Sequence, residues 1–68
     1  MNDDVLNLSI RTLLKTFGIH AQRTIEQAVT KAIADGTVAG TETFPVKVTL
    51  DIAGLRLNAE FSGEVRLQ

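Results

Sequence analysis

The sequence has no cysteine, which excludes disulfides, thiolate catalysis and cysteine-ligated zinc or iron–sulfur centres. It has one histidine, His20, so a histidine-built metal site has no second imidazole to draw on. No apolar run approaches the ~18 residues of a membrane span. The opening Met1-Asn2-Asp3-Asp4 carries neither the positive start nor the apolar stretch of a secretory signal. A cytoplasmic protein is the expectation.

What is present is the composition of a folded chain: 44% hydrophobic, 22% charged, net charge −1. A length of 68 residues allows a single domain, 1–68, and leaves no room for a dinucleotide-binding unit or a barrel. A chain this short buries only about 60% of its unfolded surface. Such chains often add disulfides, a metal or a second subunit. The first is excluded and nothing suggests the second, so oligomerisation is expected.

Residues 4–17 carry a helical stripe of Leu6, Ile10, Leu13, Leu14 and Phe17. Asn2 or Asp3 can cap its start, and Asp3 and Asp4 suit the positive end of the helix dipole. Gly18 can adopt the left-handed conformation that ends a helix, with Ile19 folding back on the last turn. Residues 21–35 carry a second stripe of Ala21, Ile25, Ala28, Val29, Ala32 and Ile33, ended by Asp35-Gly36. Thr24-Ile25-Glu26-Gln27 fits a capping box and offers a later start for this helix.

From Phe44 the period changes to two. Phe44, Val46, Val48, Leu50 and Ile52 share one face, and Leu55, Leu57, Ala59, Phe61, Val65 and Leu67 share one on a second strand. Opposed residues lie on the same face of an antiparallel pair, so even-numbered apolar residues oppose odd-numbered ones. That permits a loop of two or four residues and excludes three. A two-residue Ala53-Gly54 loop opposes Lys47 to Glu60 and Asp51 to Arg56, and it is the expected register. A loop over Asp51–Gly54 is the alternative, with easier turn chemistry. The predicted fold is therefore α+β in the order ααββ: helices at about 4–17 and 21–35, packed on one face of an antiparallel hairpin at about 44–52 and 55–67. In that register Val65 and Leu67 overhang the first strand. The hairpin edge, or the overhang, is expected to pair across a homodimer.

No motif carries catalysis. His20 reads as a surface residue, and Glu60 and Glu64 share a strand face with Arg56 and Arg66, as a charge-paired sheet face would. The five glycines are scattered singly and form no phosphate loop. No catalytic residue, metal ligand, cofactor or membrane partner is expected. Two helices before a hairpin evoke a winged-helix DNA binder. The reading helix, however, offers only Arg23 and Lys31 against Glu26 and Asp35, and the hairpin half is acidic, which disfavours nucleic acid. Leu8 lies on the polar side of the first helix. With Val5, Val65 and Leu67 it forms the candidate self-association set, which could also serve a protein partner.

Residues 1–11, Met-Asn-Asp-Asp-Val-Leu-Asn-Leu-Ser-Ile-Arg, and 42–55, Glu-Thr-Phe-Pro-Val-Lys-Val-Thr-Leu-Asp-Ile-Ala-Gly-Leu, resemble a family of small bacterial proteins, mainly proteobacterial, grouped as a domain of unknown function. The resemblance spans nearly the whole chain. It implies a bacterial cytoplasmic protein and supplies no site residues. The functional expectation is a small homo-oligomeric structural or interaction protein, with a nucleic-acid-binding regulator as the alternative.

Overall fold

The computed structural model describes residues 1–68. The chain divides into two units, Met1–Thr37 and Val38–Gln68. The first is one helix, α1 (Asp3–Ala34), and the second is a hairpin of β1 (Thr43–Ile52) and β2 (Leu57–Arg66). The class is α+β, but one helix stands where two were expected, at 4–17 and 21–35.

The helix starts as the sequence indicates. The Asn2 side-chain oxygen accepts from the N–H groups of Asp4 (3.0 Å) and Val5 (3.2 Å), and Asp3 and Asp4 occupy the first turn. Its end is a Schellman arrangement. Gly36 takes φ +76°, its N–H donates to the Ile33 carbonyl, and the Thr37 N–H donates to the Ala32 carbonyl.

The expected break at Gly18 does not occur. The reason lies in the phase of the two stripes. On one continuous helix Leu6, Ile10, Leu14, Phe17, Ala21, Ile25, Ala28 and Ala32 fall within an arc of about 100°. Their spacing of four, four and three residues recurs about every 11, near the natural pitch of the α-helix. Val29 and Ile33 lie about 40° and 80° beyond the edge of that arc, and a turn at Gly18 would bring them closer only by leaving about four carbonyls and four N–H groups without helical partners. A helical glycine costs only about 1 kcal/mol relative to alanine. Continuity wins. The capping box at Thr24 does not form either: its hydroxyl donates to the His20 carbonyl one turn back, at 2.9 Å. With no turn between helices, the helix–turn–helix on which the winged-helix reading depended is absent. No helix is long and apolar enough to cross a membrane.

The hairpin obeys the parity rule in a register different from either expectation. Ile52 opposes Leu57, Leu50 opposes Ala59, Val48 opposes Phe61, Val46 opposes Gly63 and Phe44 opposes Val65. The loop has four residues, Ala53–Arg56, with a 3-10 turn at Ala53–Leu55 and Arg56 in the left-handed region at φ 52°. The two-residue loop, the second strand beginning at 55 and the overhang are all corrected by this one shift. Val65 is paired with Phe44, and the Leu67 N–H donates to the Glu42 carbonyl at 2.9 Å. Leu55, expected on the face of the second strand, lies in the turn instead; the other apolar residues keep their expected face, because a slip of two residues preserves side-chain parity.

Neither unit has an interior. No residue is buried, and the large side chains of the helix stripe and of the hairpin's apolar face remain open to solvent.

Candidate functional site

The features that invite a site are apolar surfaces, not polar clusters. The broad stripe of α1 is exposed along its length, with Phe17 at 49% and Leu13 and Leu14 close to 60%. Large residues fill its first half (Leu6, Ile10, Leu13, Leu14, Phe17). Small ones dominate its second half, where Ala21, Ala28 and Ala32 accompany Ile25.

Val5 and Leu8 lie on the opposite side of the same helix, and both are strongly exposed. Ile19 shares that side, at about 100° in the helical projection, between Leu8 at about 80° and Val5 at about 140°. Sequence reading missed Ile19, because it was assigned to a helix-ending turn. The signal was present in its spacing of about 11 residues from Leu8. Val65 and Leu67 belong to the other unit. They are half-buried and share a face, Val65 across from Phe44 and Leu67 one residue beyond β2.

The polar groups are arranged locally. Lys47 and Glu60 approach to 3.7 Å as a diagonal pair, since Lys47 opposes Ser62 and Glu60 opposes Thr49. Both side chains are well exposed, so the pair contributes at most about 1 kcal/mol. His20 is exposed in mid-helix. A depression lined by Arg23, Glu26, Gln27, Thr30, Lys31 and Ala34 follows the helix and is open to solvent. No group of three or more His, Asp or Glu side chains is placed to hold a metal ion.

Glu42 makes the densest polar contact. Its carboxylate accepts from the backbone N–H groups of Ala39 (2.8 Å), Gly40 (2.9 Å) and Thr41 (3.0 Å). Gly40 permits this curl by taking φ +100°. The Ala39 N–H is the main cause that holds the carboxyl below its ordinary value. Partial desolvation opposes it, and the N–H groups of Gly40, Glu42 and Thr41 add to it. This is a loop clasp whose acceptor capacity is spent on its own backbone.

The chain thus presents two exposed faces on a helix and one on a hairpin whose two strands are both edges. No curated protein and no solved structure matches it. A family of unknown function (DUF6494) matches residues 1–68, and the chain belongs to that family.

Proposed function

We propose that this chain is a small homo-oligomeric structural and interaction protein with no catalytic role of its own. One observation carries the reading: neither unit buries a single side chain, so the apolar faces of both are open. Isolated helices and two-stranded hairpins are marginal in water unless an apolar face is covered. Contiguous exposed apolar surface is the mark of an interaction site. A second copy of the chain is the simplest cover. The hairpin contributes two open strand edges, with Val65 and Leu67 near one end, and the helix contributes two apolar sides, the broad stripe and the side of Val5, Leu8 and Ile19.

The test is sedimentation equilibrium or light scattering over a hundredfold range of concentration. A mass rising to a multiple of 7.4 kDa is expected. A constant monomer mass with a sharp, well-dispersed amide NMR spectrum refutes the proposal.

A further inference from the structure

We infer that two copies pair through the broad stripe of α1, antiparallel and centred near residue 19, so that the large first half of each stripe lies on the small second half of the other. The inference rests on the self-association proposed above and assigns its geometry.

Three observations point the same way. The first is volume. With residue numbers of opposed pairs summing to about 38, Leu6 meets Ala32, Ile10 meets Ala28, Phe17 meets Ala21 and Leu14 meets Thr24. Each layer then holds a large and a smaller side chain. The separation of the helices can stay even at about 8–10 Å. A parallel pair in register would stack Leu6, Ile10 and Phe17 on their own copies at one end and alanine on alanine at the other. It could not keep one spacing.

The second is extent. The centre of this pairing, residue 19, falls beside the midpoint of Asp3–Ala34, so nearly the whole helix of about 48 Å overlaps. The third is the helix dipole: antiparallel copies set the partly positive N-terminus of each helix beside the partly negative C-terminus of the other.

The test uses the absence of cysteine. Ser9→Cys, Gln22→Cys and Thr30→Cys each place one thiol outside the opposed layers, for a nitroxide label on the full chain. Pulsed EPR then measures the distance between copies. Antiparallel pairing separates the labels along the axis by roughly 30 Å at position 9, roughly 9 Å at position 22 and roughly 33 Å at position 30. A short distance at all three sites means a parallel pair and overturns this geometry, while self-association stands. Broad distributions at all three sites, in a chain of dimer mass, place the contact on the hairpin and also overturn it. A constant monomer mass defeats both readings. As a second measurement, Ile10→Ala and Ala28→Ile should each weaken dimerisation at least tenfold. The double variant should recover most of that loss, because the two positions share a layer; failure to recover overturns the assigned register.

Discussion

The helix and the hairpin solve the same difficulty by opposite means. Each must satisfy its backbone without an interior. The helix does so locally: every bond spans four residues, so α1 holds its form wherever phase and caps agree. The hairpin depends on partners up to 23 positions apart, such as Thr43 with Arg66, and one choice at the turn sets all ten pairs. Misreading Gly18 therefore altered one junction of the helix, whereas misreading the turn displaced a whole strand. The comparison teaches that local and non-local elements fail differently, and substitutions can separate them.

The largest effect is expected from Gly18→Pro. In one continuous helix it removes a mid-helix hydrogen bond and clashes with the preceding turn, at about 3 kcal/mol or more. Circular dichroism should lose helical signal at 222 nm while the strand contribution persists. Full retention of that signal would restore a turn at this position. Next comes the cap. Asn2→Ala leaves the N–H groups of Asp4 and Val5 without their acceptor and should cost about 1 kcal/mol of helix stability, read in urea titration.

On the hairpin side, acid should act through Glu42. Its folded-state carboxyl titrates below its ordinary value of 4.5, so the stabilisation is fully present above that value. It is lost as pH falls through the lowered folded-state value. Amide chemical shifts of Ala39, Gly40 and Thr41 should move together in that acid range, and Glu42→Gln should abolish the dependence. An unchanged profile in Glu42→Gln would remove the clasp from the account. The smallest effect is expected from Lys47→Ala. An exposed pair at 3.7 Å should cost no more than about 0.5 kcal/mol in thermal denaturation.

What the sequence disclosed follows the same division. Asn2 as cap, Gly36 as helix stop, the period-two faces and the odd-to-even pairing were all legible, because each depends on neighbours or on parity. The junction at residues 18–20 was misread because a glycine and a following Ile-His look like a stop. The overriding signal, continuity of phase from Leu6 to Ala32, spans many turns. The register was misread because direct Lys47–Glu60 pairing appeared to decide it, yet long side chains meet diagonally almost as well. Arg56 held at positive φ decides the turn, and arginine carries no mark of that role. The candidate residues were legible only as apolar positions out of place. Val5 and Leu8 were visible this way, and Ile19 was hidden by the false stop.

The Glu42 clasp gives the hairpin a closure at the end away from its turn. Its carboxylate gathers three amides while its own carbonyl takes the Leu67 N–H, so residues 39–42 and 67 are tied at one point. Strand pairs usually fray from the open end inward. Here that end must first release four amides, so Ala39, Gly40, Thr41 and Leu67 are expected to open together in hydrogen exchange.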